Sequence, residues 1–335
     1  MWRAILRVSR WLVGLALLAA AGVAGAAWRW LQQPLPLAGP SAEVSIEPGT
    51  TPRRAAELWV AAGVQTPPDL LYAWFRFSGQ ARQIRAGSYE IEPGITPRGL
   101  LDQMVRGDNV LLTVRFREGW TVAQMREALA AAPQLKPTTK TMSEAELMAA
   151  LGMPGQRAEG RFFPDTYSYS RNVSDVTVLK RAHAAMQRRL DAAWSQRAPD
   201  LPVGSTDEAL ILASIVEKET GHEADRGKVA AVFVNRLRIG MPLQTDPTVI
   251  YGLGAAFDGN LRKRDLLADT PYNTYTRKGL PPTPIALPGA ASITATLKPE
   301  PTRALYFVAR GDGTSVFSDN LTDHNRAVNK YQRGQ

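Results

Sequence analysis

One apolar segment constrains the fold of this chain more than any other. It covers residues 205–221 and reads STDEALILASIVEKETG, and between Ala209 and Val216 its only polar residue is Ser214. A helix that is apolar almost all the way round is normally buried. We therefore expect this segment to form the central helix of a domain, with the remaining elements packed around it.

The two ends of this helix carry recognisable signals. Ser205 stands where a cap is needed, and Glu208 follows three residues later, as in a capping box. Gly221 lies where a helix often ends in the left-handed conformation. The pattern predicts a helix that begins after Ser205 and ends just before Gly221.

Glu217 occupies the last turn of this helix, on the face of Leu210, Ala213 and Ser214. Burial and the negative end of the helix dipole both raise the pKa of a carboxyl group in such a place. A carboxyl group that is protonated near neutral pH can act as a general acid, so Glu217 is the candidate catalytic residue. Glu219 lies about 200° away around the helix and should not face the same cleft. The alternative is that these residues only end a core helix.

Composition excludes several classes of site. The 335 residues include no cysteine and only three histidines, which excludes disulfides, zinc–thiolate sites and cysteine nucleophiles, and we expect no metal and no cofactor. The net charge of +9 suits an anionic partner, but the basic residues are scattered and no nucleic-acid motif is present. We predict no nucleic-acid partner, and we attribute the charge to solubility and membrane-flanking residues.

The N-terminus resembles a membrane anchor. Residues 1–10 carry three arginines and no acid, and residues 11–30 are uncharged until Arg29. This predicts a cytoplasmic tail over 1–10, a single transmembrane helix over 11–30 and a chain that otherwise lies outside the cytoplasm. A cleaved signal peptide is the alternative, because Ala24–Ala26 resembles a cleavage site. The Pro-rich residues 31–42 predict a linker.

A short motif occurs three times along the chain. It reads IEPGTTPR at 46–53, IEPGITPR at 91–98 and, more loosely, FREGWTVA at 116–123. Each copy predicts the end of a strand, a glycine turn, a threonine cap and a helix. The first two copies bracket two helical stretches, so we expect a small βααβ module over 43–107, followed within it by one more helix.

Residues 108–335 predict a second, mixed α+β domain. Gly107-Asp108-Asn109 predicts a boundary turn, and a closing hairpin is expected around Gly311-Asp312-Gly313. Residues 241–290 are rich in Pro, Gly, Thr, Tyr and Asn, and show little periodicity. Long irregular segments in compact domains are usually functional. The expected helices cover residues 122–131, 144–151, 175–194, 205–221 and 225–237.

This irregular segment supplies side chains suited to a carbohydrate cleft. Amides and hydroxyls match sugar hydroxyl groups, and tyrosine rings stack on pyranose rings. A glycosidase normally uses two carboxylates, and Asp246 or Asp165 could be the second. An Asx-type turn is the alternative role of Asp246. The candidate substrate-binding residues are Gln244, Asp246, Tyr251, Asn273 and Tyr275.

Several of these segments together resemble a known family, the membrane-anchored endolytic murein transglycosylases, also called YceG-like. The resemblance covers nearly the whole chain after the anchor. The segments that carry it are ILASIVEKET at 211–220, VFVNRLRIGM at 232–241, LQTDPTVIYG at 243–252, YNTY at 272–275, GLPP at 279–282, 160–165 and LYFV at 305–308.

The resemblance implies a fold and an activity. It implies one transmembrane helix, a LysM-like module and a catalytic domain in the periplasm, on the outer side of the inner membrane. It implies cleavage of the β-1,4 bond between N-acetylmuramic acid and N-acetylglucosamine in nascent peptidoglycan, without water, to give 1,6-anhydro ends. The catalytic glutamate of the family matches Glu217, Asp246 becomes a positioning residue, and peptidoglycan synthases become candidate partners.

Two other functions stay open from the residues themselves. One is a non-catalytic scaffold that binds the cell wall through residues 43–107. The other is a hydrolytic muramidase, which would transfer the sugar to water.

Overall fold

The chain forms two compact units, as seen in a computed structural model that describes residues 2–107, 111–171 and 173–334. Within these ranges, the side chains of residues 2–13, 16 and 170 are not described. One unit comprises residues 1–112 and 169–173, and the other comprises residues 113–168 and 174–335. The predicted turn at Gly107-Asp108-Asn109 falls in part on residues outside the described ranges.

The first unit contains two strands that pair antiparallel, with Val44 opposite Tyr89 and Ile46 opposite Gly87. Two helices lie between these strands in the chain, and one helix follows, so the predicted βααβ order is confirmed. Its likeness to a LysM module stays a prediction. The elements are α1 Trp2–Gln32, β1 Ala42–Ile46, α2 Pro52–Ala61, α3 Pro68–Phe77, β2 Gly87–Ile91 and α4 Pro97–Arg106.

The first two copies of the repeated motif form the predicted turns. Gly49 and Gly94 have φ angles of 87° and 105°, in the left-handed region that glycine enters without a Cβ penalty. Thr51 and Thr96 then cap α2 and α4, each accepting a hydrogen bond from the amide three residues later. The motif therefore connects the end of a strand to the beginning of the next helix.

Aromatic side chains fill the core of this unit. Trp59 and Phe75 are fully buried, as expected for core residues, and Trp59 Nε1 lies 3.3 Å from Met104 Sδ. Tyr89 is also fully buried, and its hydroxyl group donates to the carbonyl oxygen of Arg85 at 2.7 Å. These contacts join the two helices and the sheet into one small core.

Helix α1 contains the predicted anchor. It runs over 31 residues, from Trp2 to Gln32. Among the described residues, no helix is both long enough and apolar enough to cross a membrane. The prediction of a transmembrane segment over 11–30 is therefore not confirmed, and the side chains of the predicted tail, 1–10, lie outside the described set.

The second unit is mixed α+β, as predicted, and the remaining strands form small two-stranded sheets that pair β3 with β4 and β5 with β6. Residues 111–112 of β3 and 169–170 of β4 fall in the first unit, and the rest of both strands falls in the second. The remaining elements of the chain are β3 Leu111–Arg115, α5 Val122–Ala131, α6 Glu144–Ala150, β4 Thr166–Ser170, α7 Asp175–Ser195, α8 Thr206–Glu219, α9 Glu223–Arg238, α10 Asp246–Leu253, α11 Lys263–Leu267, α12 Ala290–Leu297, β5 Tyr306–Ala309, β6 Ser315–Ser318 and α13 Leu321–Gln332.

Helix α8 is the buried centre of this unit, as its sequence predicts. Leu212, Ala213 and Ile215 are fully buried, and α8 packs against both α9 and α12. Burying a leucine or isoleucine side chain contributes about 1.5–3 kcal/mol to stability. The unbroken run of buried residues from Leu212 to Val216 therefore fixes α8 in place, and with it the position of Glu217 in the last turn.

Both ends of α8 differ in detail from the prediction. Ser205 Oγ accepts from the Glu208 amide at 3.2 Å, as expected, but Glu208 Oε2 accepts from Gly204 N at 2.6 Å instead of from the cap residue. The predicted left-handed cap at Gly221 is wrong. The helix ends at Glu219 because Thr220 is already extended, with φ −144°, and its hydroxyl group accepts from the His222 amide.

The segment 241–290 is less irregular than predicted. Helices α10 and α11 lie within it, and Asp246 and Pro247 begin α10. Pro is favoured in the first turn of a helix, because the amide hydrogen that it lacks would have no acceptor within the helix at that position. The predicted closing hairpin is confirmed, with Phe307 of β5 opposite Phe317 of β6.

Candidate active site

Ser214 fixes a loop against the side of α8. Its hydroxyl group donates to Ile211 O at 2.7 Å and accepts from the amide of Ile285 at 3.0 Å. A buried polar group needs such partners, and here one of them belongs to the loop before α12. The one polar residue in the apolar run of α8 therefore holds residues 285–289 alongside the helix.

The third copy of the repeated motif is held against the same loop. Gly119 N donates to Leu287 O at 2.9 Å, and Leu287 N donates to Trp120 O at 2.7 Å. Lys218 Nζ also donates to Gly119 O at 3.3 Å. Three segments that are far apart in sequence, around residues 118, 217 and 287, therefore meet at the C-terminal end of α8.

Glu217 lies where these three segments meet. Its side chain is half-buried, and Oε2 accepts a hydrogen bond from the main-chain amide of Gly289 at 2.9 Å. Gly289 is the residue that precedes α12, where the positive end of the helix dipole favours a carboxylate. The structure thus places the candidate catalytic glutamate at a defined donor, with part of its surface open to a ligand.

A second glutamate, Glu118, adjoins the same glycine. A Cβ atom built on Gly289 would lie 1.8 Å from Glu118 Oε1, so the carboxyl group occupies the space that a side chain would fill. Partial burial, followed by the negative charge of Glu217, raises the pKa of Glu118, and the charge of Arg226 partly opposes this. Glu118 and Glu217 are therefore electrostatically coupled.

Glu219 faces a different cluster, on the other side of α8. Its Oε1 accepts a hydrogen bond from the hydroxyl group of Thr245. Burial raises its pKa, the Thr245 hydrogen bond opposes this, and the charge of Asp246 adds to the rise. The prediction that the two glutamates of α8 point in different directions is confirmed.

Three of the predicted substrate-binding residues gather near this second cluster. The hydroxyl group of Tyr275 donates to Asp246 Oδ1 at 2.6 Å, and Gln244 precedes Thr245 in the chain. Gln244 and Asp246 are exposed, and Gln244 has a φ angle of 50°, which costs a residue with a Cβ atom on the order of 1 kcal/mol. Their exposure leaves these side chains free to contact a ligand.

The other two predicted residues have structural surroundings. Asn273 is fully buried, and its Nδ2 donates to the carbonyl oxygens of Asp265, Leu266 and Ala268, at 3.2, 3.0 and 2.6 Å. Its side chain holds the end of α11, which favours a structural role over the predicted contact with sugar. The proposed amide–tyrosine wall is therefore smaller than the sequence suggests.

Tyr251 points into the protein interior. Its hydroxyl group donates to Glu159 Oε2 at 3.1 Å, and its ring packs edge-on against Tyr272. Glu159 also accepts from the Val122 amide at 3.0 and 3.2 Å, at the start of α5. Burial raises the pKa of Glu159 to about 7, and these hydrogen bonds limit the rise.

The two aspartates considered as a second carboxylate lie elsewhere. Asp165 Oδ1 accepts from the amide of Thr166 at 2.8 Å, and its Oδ2 lies 4.0 Å from Arg189. Asp246 lies beside Glu219. The carboxylate that shares a contact with Glu217 is Glu118, which lies in the third copy of the repeated motif. A signal was present, because the first two copies of the motif have Pro at this position.

Comparisons with known proteins agree with this picture. The family described as YceG-like matches residues 44–330. The chain is also similar to the crystal structure of a yceG-like protein from Listeria monocytogenes, with a TM-score of 0.55 and 28% identity. That match covers 86% of this chain and 98% of the other.

Two curated relatives are both named endolytic murein transglycosylase. The Bacillus subtilis protein is 41% identical over 173 residues, which cover 52% of this chain and 48% of the relative. The Streptococcus pneumoniae protein is 28% identical over 361 residues, which cover 96% of this chain and 64% of the relative. The chain thus spans about half to two thirds of the length of these relatives.

Proposed function

This chain belongs to the YceG-like family, and on that premise we propose that it is an endolytic lytic transglycosylase of peptidoglycan. The substrate is a nascent glycan strand, and the bond cut is the β-1,4 bond between N-acetylmuramic acid and N-acetylglucosamine. The observation that carries the proposal is Glu217, a half-buried carboxyl group held by Gly289 at the end of a buried helix.

A single proton carrier is sufficient for this reaction. Glu217 protonates the oxygen that leaves with N-acetylglucosamine, and the C6 hydroxyl group of the muramic acid residue attacks the anomeric carbon. The carboxylate of Glu217 then takes the C6 proton, which returns it to its starting state. The product carries a 1,6-anhydro bond, and water takes no part.

Mass spectrometry of the products tests this proposal directly. The purified full chain is incubated with uncross-linked glycan strands, and the new ends are analysed. Anhydro ends, lighter by one water than reducing ends, support a lytic transglycosylase. Reducing ends would instead indicate a muramidase, and uncut strands that nevertheless bind the protein would indicate a wall-binding scaffold.

The exposed residues near Glu219 provide a surface for the rest of the strand. Gln244 and Asp246 present an amide and a carboxylate to solvent, and the half-buried Tyr275 donates its hydroxyl group to Asp246. Hydroxyl and N-acetyl groups of a sugar strand are suitable partners for such side chains. The role of Asp246 is to position the strand, because it lies beside Glu219 and not beside Glu217.

We propose that residues 11–30 anchor the protein in the inner membrane, with its bulk in the periplasm. An unbroken helix of 31 residues supports this, as does a groove of about 520 Å³ that α1 and α3 line with apolar side chains. Phe77, in that groove, is 85% exposed. Extraction of membranes with carbonate and N-terminal mapping test it, since a soluble protein that starts near Ala27 would mean signal cleavage.

An enzyme that cuts new strands at the membrane would act where they are made. Peptidoglycan synthases are therefore the proposed neighbours, and the cuts would set strand length. Cross-linking in membranes, with the Glu217→Gln variant as a slow-turnover form, tests this association. Strands of normal length in cells that carry only this variant would contradict the role in strand termination.

A further inference from the structure

The position of Glu118 in the repeated motif shows that the turn itself does not require a carboxylate. Pro48 and Pro93 occupy the same position in the first two copies, and all three copies turn through a left-handed glycine before a threonine cap. The side chain of Pro carries no polar or charged group. The third copy is the one held beside Glu217, and it has a glutamate.

Among the described residues, the carboxyl group of Glu118 has no hydrogen-bond or ion-pair partner. Glu118 is exposed, and the charge of Glu217 acts on it. Its Oε1 atom lies against Gly289, in the space that a Cβ atom would occupy. The carboxylate therefore fills the space that a side chain at residue 289 would occupy. Because no protein donor binds it there, it is available to a ligand.

The two carboxyl groups lie close enough to act on one sugar unit. Gly289 contacts both, through its amide to Glu217 at 2.9 Å and through its Cα to Glu118. Adding the bond lengths between these atoms places Glu217 Oε2 and Glu118 Oε1 no more than about 8 Å apart. Pairs of catalytic carboxyl groups in glycosidases are about 5–9.5 Å apart.

An arginine acts on Glu118. The charge of Arg226, in the first turns of α9, acts on Glu118, and its Nε is buried without a hydrogen-bond partner among the described residues. A nearby guanidinium favours the ionised form of a carboxyl group. The charge of Arg226 therefore favours the ionised form of Glu118, against the partial burial and the charge of Glu217, which raise its pKa.

We propose that Glu118 is a second catalytic carboxylate, seated by Gly289, whose negative charge faces the reacting muramic acid ring. This rests on the proposed transglycosylase function. Positive charge develops on the anomeric carbon and ring oxygen as the glycosidic bond breaks. A fixed negative charge beside the ring stabilises that state more than it stabilises the bound substrate.

Glu118 transfers no atom in this scheme. The bond between the anomeric carbon and the leaving oxygen breaks as that oxygen takes the proton of Glu217. The new bond joins the same carbon to O6, and the O6 proton goes to Glu217. Glu118 remains a carboxylate throughout, which separates its role from that of a nucleophile.

The first test replaces the charge and keeps the shape. In Glu118→Gln, kcat on uncross-linked strands falls by about 10²-fold with little change in KM, because a transition-state interaction is lost. Glu127→Gln is the matched control, since Glu127 is an exposed glutamate on the next helix. Unchanged kcat in Glu118→Gln, or a rise in KM alone, overturns the proposal.

The second test moves the carboxyl group without removing it. Gly289 has φ −77°, so alanine fits the backbone there and keeps the amide that binds Glu217, but its Cβ displaces Glu118. Gly204→Ala is the matched control, because Gly204 also donates its amide to a glutamate but leaves 3.7 Å for a Cβ. Gly289→Ala is expected to lower kcat, and the control is not.

A double-mutant cycle connects the two tests. If Gly289 acts by seating Glu118, adding Gly289→Ala to Glu118→Gln costs little further activity. Full additivity overturns this seating role. Wild-type protein that leaves strands uncut would overturn the transglycosylase function and this inference together, whereas an active wild type with an equally active Glu118→Gln variant overturns this inference alone.

Discussion

Glu217 and Glu219 stand two residues apart on one helix, yet their carboxyl groups bind to different parts of the protein. Glu217 accepts from the amide of Gly289, and Glu219 accepts from the hydroxyl group of Thr245. Each residue turns a helix by about 100°, so two residues separate the side chains by about 200°. Of these two glutamates, only Glu217 therefore reaches the site on one side of α8, and only Glu219 reaches the site on the other.

This geometry predicts unequal effects of the same substitution. Glu217→Gln should lower the rate of strand cleavage by about 10²–10⁴-fold, because it removes the proton carrier. Glu219→Gln should cost much less activity, since its side chain is buried against Thr245. Initial rates from product mass spectrometry, with circular dichroism to confirm folding, measure both, and equal losses would contradict the assignment.

Glu159 should make stability depend on pH. Burial raises its pKa from 4.5 to about 7 in the folded protein. Between these two pH values the folded state therefore holds a proton that the unfolded state has released. The stabilisation is fully present below pH 4.5 and is lost as the pH rises through about 7, in total about 3 kcal/mol.

The Glu159→Gln variant isolates this contribution. Urea unfolding of both proteins at several pH values between 4.5 and 8 gives the free energy of unfolding. Wild type should lose stability relative to the variant as the pH rises over this range. A difference between the two proteins that stays constant with pH would refute the assigned shift.

Gly160 should tolerate no side chain. A Cβ there would lie 2.5 Å from Pro284 Cβ, and its φ is 79°. Gly155 has a similar φ of 80° but no atom within 4 Å of the added Cβ. Gly155→Ala should therefore cost about 1–2 kcal/mol of strain, and Gly160→Ala about 1–3 kcal/mol more. Thermal unfolding compares the two, and equal costs would mean that the Pro284 contact relaxes freely.

Asn273 and Tyr275 should respond differently although they are two residues apart. Asn273→Ala removes a fully buried amide that donates to three carbonyl oxygens, and should cost about 2–4 kcal/mol of stability. Tyr275→Phe removes one hydrogen bond to an exposed aspartate, and should weaken glycan binding by about 2–10-fold with stability nearly unchanged. Thermal unfolding and binding titrations separate the two, and glycan affinity unaffected by Tyr275→Phe would remove Tyr275 from the binding surface.

The local features of the fold could be predicted from the sequence. The buried nature of α8, the opposite directions of Glu217 and Glu219, and the threonine caps all follow from helix geometry over a few residues. Each depends on chemistry within one or two turns. The end of α8 differs from the prediction because Thr220 is already extended, one residue before Gly221. The hydroxyl group of Thr220 accepts a hydrogen bond from the His222 amide, which stabilises this conformation.

The composition of the site could not be predicted in the same way. Glu118 and Gly289 come next to Glu217 because the hydroxyl group of Ser214 accepts from a distant amide and Leu287 makes main-chain hydrogen bonds to the segment after Glu118. No periodicity shows such pairings. Asn273 looked like a sugar ligand because amides suit both sugars and turn carbonyls, and only its full burial decides between them.

The meeting of three distant segments at Gly289 has a consequence for the life of the chain. A ribosome must pass residue 289 before the two glutamates have their common neighbour, and a protease that cuts between residues 118 and 289 can separate them. The proposed active site therefore forms only in a polypeptide that has been synthesised past this point and folded.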